Sequence, residues 1–112
     1  MKIITDTISH SELKELAAHI FGDMVKAVVD IKREVVAVDA DLHSDLEALL
    51  LDNGSEQKDL WGINLYPDAD ENSFVEFDSM INLRPSHGNH SRGVEDLKIR
   101  GQIIAVVKKR IK

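Results

Sequence analysis

The sequence predicts an α+β fold in which a single mixed or antiparallel four-stranded sheet has helices packed on it. Three segments carry apolar residues at helical spacing, and four segments alternate or enrich apolar and β-branched residues in the manner of strands. The elements follow one another in the order α-β-β-α-β-β-α. Because the apolar helix stripes need a sheet face to cover, we expect at least two helices on one side of the sheet.

The first helix is predicted from about Ser9 to Phe21. Ser9 and Glu12 have the spacing of a capping box, which satisfies free amides at a helix N-terminus. Gly22 stands where a left-handed residue commonly ends a helix. The stripe expected to face the core consists of Leu13, Leu16, Ala17 and Ile20.

Two pairs of strands are predicted. The first pair runs from Met24 to Ile31 and from Val35 to Val38, and the short charged break between them favours an antiparallel hairpin. The second pair runs from Leu60 to Tyr66 and from Phe74 to Leu83. The polar pair Asp78-Ser79 interrupts the last strand and indicates a β-bulge there.

The other two helices are predicted from Leu42 to Leu51 and from Leu97 to about Ile111. Asp41 and Asp96 are the expected N-cap residues, because a short side-chain oxygen at that position accepts from the first free amides. Asn53-Gly54 ends the earlier helix. The apolar residues of the last helix cover a broad half of its circumference, which is wider than a narrow buried stripe.

Length and composition limit the kind of protein. A chain of 112 residues is expected to form a single α+β domain over residues 1–112. It holds no Cys, which excludes disulfides, thiolate metal sites and cysteine nucleophiles, and neither a cofactor nor a metal site is predicted. No apolar run approaches the roughly 20 residues that span a bilayer, and no signal peptide is evident. A cytoplasmic protein without membrane contact is therefore expected.

The segment between the last strand and the last helix concentrates residues that can bind an anion. Arginine offers forked donors, histidine transfers protons near neutral pH, and glycine lets backbone amides approach a ligand. We expect this loop to lie outside the core, and its candidate ligand-binding residues are Arg84, Ser86, His87, Gly88, Asn89, His90 and Arg92. No catalytic set can be assigned from these residues, since any polar turn has a similar composition.

A second polar segment, Asp39 to Asp45, resembles the start of a calcium loop but lacks its essential residues. The sixth position is Ser44 where glycine is needed, and the twelfth is Leu50 where glutamate is needed. We expect His43 to occupy an exposed first turn of the helix instead.

The charge is unevenly distributed along the chain. The net charge is −6, yet six basic residues and no acid follow Asp96: Lys98, Arg100, Lys108, Lys109, Arg110 and Lys112. Cations suit a helix C-terminus, so a solvated helix face explains most of this pattern. Nucleic-acid binding through this helix is a less favoured alternative.

Two strings are distinctive: Lys58 to Pro67 (KDLWGINLYP) and Phe77 to Pro85 (FDSMINLRP), the latter followed by Gly88-Asn89. With these strings the chain resembles a family of short bacterial and archaeal proteins that is catalogued only as a domain of unknown function. The resemblance implies a small stand-alone prokaryotic protein. It implies no reaction, cofactor or catalytic residue.

Three functional hypotheses follow. The leading one is a small non-enzymatic binding or regulatory module that contacts a protein partner or a second copy of itself. The alternative is a small enzyme that acts on a phosphate-containing substrate through the loop at 84–92. The third is nucleic-acid binding through the basic last helix.

Overall fold

The computed structural model describes all 112 residues. Its elements in chain order are β1 (Lys2–Ile4), α1 (His10–Ile20), β2 (Val25–Asp30), β3 (Val35–Val38), α2 (His43–Asp52), β4 (Leu60–Leu65), β5 (Val75–Glu76) and α3 (Leu97–Arg110). The strands form one sheet in the order β1-β3-β2-β4-β5, and every pair is antiparallel. The predicted α+β class is therefore confirmed, with the antiparallel form of the sheet. None of the helices is both long and apolar enough to cross a bilayer.

The predicted count of four strands is wrong because a fifth strand, β1, precedes the first helix. This strand has three residues and pairs with β3, so that Lys2 lies opposite Val38 and Ile4 opposite Val36. Three residues are too few to show a measurable alternation, and the pairing partner lies more than 30 residues away in the chain. Local pattern therefore carried no signal for β1.

The long last strand predicted from Phe74 to Leu83 is also wrong. Only Val75 and Glu76 pair with β4, after which the chain leaves the sheet and forms a 3-10 turn at Met80–Asn82. No bulge forms at Asp78-Ser79. The edge of β4 is bonded there by a side chain: the Asn82 amide accepts from the Gly62 N–H at 2.8 Å and donates to the Gly62 carbonyl at 2.9 Å.

Helices cover both faces of the sheet. α1 and α3 pack on one face, where 17 buried residues, including Leu13, Trp61 and Ile103, form the larger core. α2 packs on the other face, where Leu46 and Leu50 join a smaller cluster of six buried residues. The expectation that two helices share one face is met by α1 and α3.

Two of the three predicted helix N-caps are confirmed, Ser9 and Asp96. The Glu12 amide donates to the Ser9 hydroxyl at 3.1 Å, and the reciprocal bond completes the capping box. Asp96 accepts from the Lys98 amide at 2.8 Å. Asp41 is not a cap, because α2 begins one residue later than expected and Leu42 stands at its N-cap without a side-chain bond.

Replacing Gly101 by alanine tests how much this glycine lowers the stability of α3. It lies inside the helix, and a Cβ added there would meet nothing within 4 Å. We expect Gly101→Ala to raise the free energy of unfolding by about 0.5–1 kcal/mol, because alanine restricts the unfolded chain more than glycine. Urea denaturation measures the change. Gly54→Ala is the contrast: Gly54 has φ +101°, so alanine there should lower stability, and a rise would contradict the backbone described.

Candidate functional site

Arg84, the first residue of the predicted anion-binding loop, is buried rather than outside the core. Its guanidinium donates to the carbonyls of Leu60 and Ile81 and lies 4.7 Å from the centre of the Trp61 ring. Its Nη2 atom is also 3.9 Å from Oε2 of Glu47. These contacts occupy the guanidinium donors that were predicted to bind an anionic ligand. Because Leu60 lies in β4 and Glu47 in α2, Arg84 connects these two elements.

Asn89 is also buried, and it closes the loop on itself. Its side-chain amide donates to the carbonyls of Asn82 at 2.7 Å and Gly93 at 2.9 Å, and its Oδ1 accepts from the Glu95 amide at 3.0 Å. The Arg84 amide donates to the Asn89 carbonyl at 2.8 Å. These hydrogen bonds hold the loop together. The expectation that the whole loop lies outside the core is wrong for Arg84 and Asn89, which are buried.

The remaining loop candidates are exposed, and no hydrogen bond links their side chains to one another. Ser86 and His87 lie in a 3-10 turn that ends at Gly88, which has φ +81°. Arg92 is paired with Asp78 at 2.7 Å. The His90 amide donates to Glu95, and this bond lowers the pKa of that carboxyl. Anion binding by these exposed residues stays a prediction.

The basic residues of α3 are largely engaged within the chain. Lys108 pairs with Glu71 at 3.3 Å, Lys109 pairs with Glu34 at 3.4 Å, and Arg110 donates to the carbonyls of Glu34 and Asp6. Arg100 stacks over the Phe77 ring at 4.9 Å. Lys98 and Lys112 form no ion pair, and Arg100 and Arg110 contact a ring and carbonyls but no carboxylate, so uncompensated positive charge remains on this helix and nucleic-acid binding through it stays a prediction.

A sizeable cavity lies elsewhere, between the start of α1, the end of α3 and the turn that precedes β5. Its volume is about 560 Å³, which is within the range of small-molecule sites. The apolar walls consist of Ala69, Phe74, Val75, Ile104, Val107 and Ile111. We call this space the α1–α3 cavity.

Four polar side chains stand around the α1–α3 cavity: His10, Glu71, Asn72 and Lys108. The His10 and Phe74 rings lie 5.2 Å apart, and the exposed Lys108–Glu71 pair lies beside the apolar walls. From the sequence, His10, Glu71 and Asn72 carry no site prediction, and Lys108 is predicted only as part of the basic helix of the nucleic-acid alternative. One feature of the sequence points to the cavity. The apolar arc of α3 is wider than the part that the core buries, and Ile104 lies in the uncovered part of that arc.

A polar row crosses the other face of the sheet. Lys26, Asn64 and Glu76 lie directly opposite one another on β2, β4 and β5. One Glu76 oxygen accepts from the Asn64 amide at 2.8 Å and from the Tyr66 hydroxyl at 3.1 Å. Glu76 forms no ion pair, and desolvation together with this carboxylate raises the pKa of Tyr66. The row therefore ends in an oriented carboxylate without a cation.

His43 lies beside this row and is buried, which contradicts the exposed position expected from the sequence. Its Nε2 donates to the Ile63 carbonyl at 2.8 Å. Burial is the main cause that lowers the pKa of His43 below 6.5. The ring is therefore neutral at physiological pH. No group of three or more His, Asp or Glu residues is placed to share a metal ion.

The burial of His43 predicts a pH-dependent stability. Below about pH 6.5 the unfolded chain binds a proton that the folded chain resists, so the free energy of unfolding falls as pH decreases from 6.5 toward the lower folded pKa. Above about pH 6.5, where His43 is neutral in the folded and the unfolded chain, this loss of stability is absent. We expect His43→Gln, which keeps an N–H donor, to flatten this slope by up to about 1.4 kcal/mol per pH unit. Urea denaturation between pH 5 and 8 measures it; an equal slope change in the control His87→Gln would contradict the assignment.

The fold and the α1–α3 cavity define a small α+β protein with an antiparallel sheet, helices on both faces and a partly apolar cavity of ligand size between α1 and α3. The chain belongs to the family described as Protein of unknown function (DUF5674), whose model matches residues 2–110. No curated protein and no solved structure gives a significant match.

Proposed function

We propose that this protein is a non-enzymatic binding module and that its ligand places an apolar group in the α1–α3 cavity. The observation that carries the proposal is the cavity, whose volume of about 560 Å³ and predominantly apolar walls suit a ligand group. Ligand sites combine such walls with a few polar groups that fix orientation, and His10, Asn72 and Lys108 supply them.

The polar groups of the cavity favour binding over catalysis. A catalytic site needs a nucleophile or base within hydrogen-bond reach of a group that orients it. His10 contacts an aromatic ring and forms no side-chain hydrogen bond, while Lys108 is held by Glu71. These side chains are suited to contacting a ligand, and they do not form an acid–base relay.

Mapping of small-molecule fragments by NMR tests the proposal. An ¹⁵N-labelled sample is titrated with a library of monocyclic aromatic and branched aliphatic fragments. We expect binders to shift the amide signals of Phe74, Val75, Ile104 and Lys108. Ile104→Asp, which places a charge in the cavity wall, should abolish the shifts, while Ala105→Asp, on the neighbouring exposed position, should leave them unchanged. Binders that map to another surface, or equal effects of the two variants, would refute the site.

A further inference from the structure

We propose that the natural ligand is an extended cationic peptide segment that adds a strand to the outer edge of β5 and inserts one apolar side chain into the α1–α3 cavity. This inference rests on the binding function proposed above and names the chemical class of the ligand. Three features of the edge carry it: the direction of the Val75 backbone, the openings on both sides of the strand and the charge of the adjoining turn.

The backbone of Val75 offers a free donor and acceptor at the sheet edge. In an antiparallel ladder, hydrogen-bonded pairs alternate with non-bonded pairs. The Tyr66 amide donates to the Phe74 carbonyl at 2.9 Å, so the next bonded pair is Asn64 with Glu76, and Val75 opposite Leu65 is a non-bonded pair. The N–H and C=O of Val75 therefore point away from β4, in the geometry that an added strand requires.

The space on both sides of this edge is open. A second, shallower depression of about 400 Å³ is lined by Tyr66, Ala69, Ser73, Val75 and Glu76. It shares Ala69 and Val75 with the α1–α3 cavity. The two depressions meet at the strand that would pair with the peptide, so neighbouring peptide side chains, which point to opposite faces, both find room.

The register determines which peptide residue enters which space. The Val75 side chain lines the α1–α3 cavity and packs on the larger core. The next residue, Glu76, belongs to the polar row on the other face of the sheet. A peptide residue opposite Val75 therefore points over the cavity. In antiparallel pairing the residue before it lies opposite Glu76 and points to the other face.

The charge of the turn selects a cationic partner. Residues 66–76 hold four acids and no base: Asp68, Asp70, Glu71 and Glu76. Lys14 pairs with Asp68 at 2.7 Å and Lys108 with Glu71 at 3.3 Å, which leaves Asp70 and Glu76 without a cation. Glu76 is already oriented by Asn64 and Tyr66. The expected recognition pattern is therefore a Lys or Arg followed directly by a large apolar residue.

Isothermal titration calorimetry with a capped octapeptide, Thr-Ser-Thr-Lys-Phe-Thr-Ser-Thr, tests the pattern. We expect saturable binding that weakens roughly tenfold or more when Phe is replaced by Ser, because the apolar side chain is then absent from the cavity. Replacing Lys by Glu should weaken binding by a similar factor. On the protein, Glu76→Gln should remove the preference for Lys over Glu, and Ile104→Asp should remove the preference for Phe over Ser.

Backbone methylation separates strand addition from simple side-chain binding. The Phe amide of the peptide would donate to the Val75 carbonyl, whereas the Lys amide would point to solvent. We expect N-methylation at Phe to abolish binding and N-methylation at Lys to be tolerated. Equal losses from the two peptides would overturn strand addition.

Two further outcomes would overturn the inference while leaving the binding function standing. In the first, fragments map to the cavity but no peptide binds. In the second, analytical ultracentrifugation finds a dimer that Ile104→Asp dissociates and Ala105→Asp does not, which assigns the edge of β5 to a second copy of the chain.

Discussion

Replacing Gly62 with alanine is expected to lower the free energy of unfolding by about 3 kcal/mol or more. A Cβ at this position would lie 2.5 Å from both the Cβ and the Oγ of Ser79 and 3.1 Å from Cγ1 of Ile81. Overpacking of this kind costs about 1–3 kcal/mol. Moving the 79–82 segment away would also separate Asn82 from the Gly62 backbone and leave buried polar groups unpaired, at a further 1–3 kcal/mol or so. Urea denaturation followed by circular dichroism measures the total.

The double variant Gly62→Ala, Ser79→Gly distinguishes this contact from a general loss of glycine. Ser79→Gly removes the two closest of the three atoms that the new Cβ would meet, so the double variant should be more stable than the sum of the single changes predicts. Gly101→Ala is the matched control, because it makes the same change in open space. A loss below about 1 kcal/mol for Gly62→Ala would mean that the segment shifts easily and that Asn82 is not an important brace.

Asn82 also explains why the sequence misplaced the end of the sheet. From Phe74 to Leu83 the alternation of apolar and polar residues is that of a strand, and the pattern is real. The partner of β4 at Gly62 is a side-chain amide that reproduces the donor and acceptor of a backbone peptide unit. The two residues are 20 positions apart, and local periodicity contains no information on that contact.

Local chemistry was predictable where it acts within one element. The capping box at Ser9 and the Asp96 cap depend on residues within one turn of each other, and both are found as expected. The predicted α1 stripe is confirmed for Leu13 and Ala17, which are buried, and is wrong for Ile20, which is exposed at the end of the helix. The α1–α3 cavity depends on contacts between distant elements. His10, Phe74 and Ile104 each fit their own element's pattern, and they become neighbours only because α1 and α3 pack on the same sheet face beside the 66–76 turn.

The loop at 84–92 shows the same limit in a functional prediction. Its composition indicates how many donors are present, but it does not indicate which acceptors already hold them. Arg84 is 9% exposed and Asn89 is 4% exposed, and both bond to backbone carbonyls that would otherwise be unsatisfied. Arg84 and Asn89 have the chemistry of an anion site, but here they brace the sheet edge.

Replacing Arg84 with methionine is expected to lower the free energy of unfolding by about 3–5 kcal/mol, the range found when one partner of a buried ion pair is removed. The change keeps much of the apolar volume against Trp61 but removes every donor. The Leu60 and Ile81 carbonyls lose their side-chain donor, and Glu47, whose Oε2 is buried without a hydrogen bond, loses its only nearby cation. Adding Glu47→Gln should recover part of the loss, because the buried charge is then absent.

Arg92→Met is the matched control for this prediction, since Arg92 is exposed and pairs with Asp78 at the surface. An exposed pair contributes about 0–1 kcal/mol, so the two arginines should differ by several-fold in their effect on stability. Arg84→Lys should rescue little, because a single ammonium cannot reach two carbonyls and Glu47 in the fixed geometry of a guanidinium. If Arg84→Met were as mild as Arg92→Met, the Arg84 guanidinium would not be committed to the fold, and anion binding by the loop would again be the better explanation of its composition.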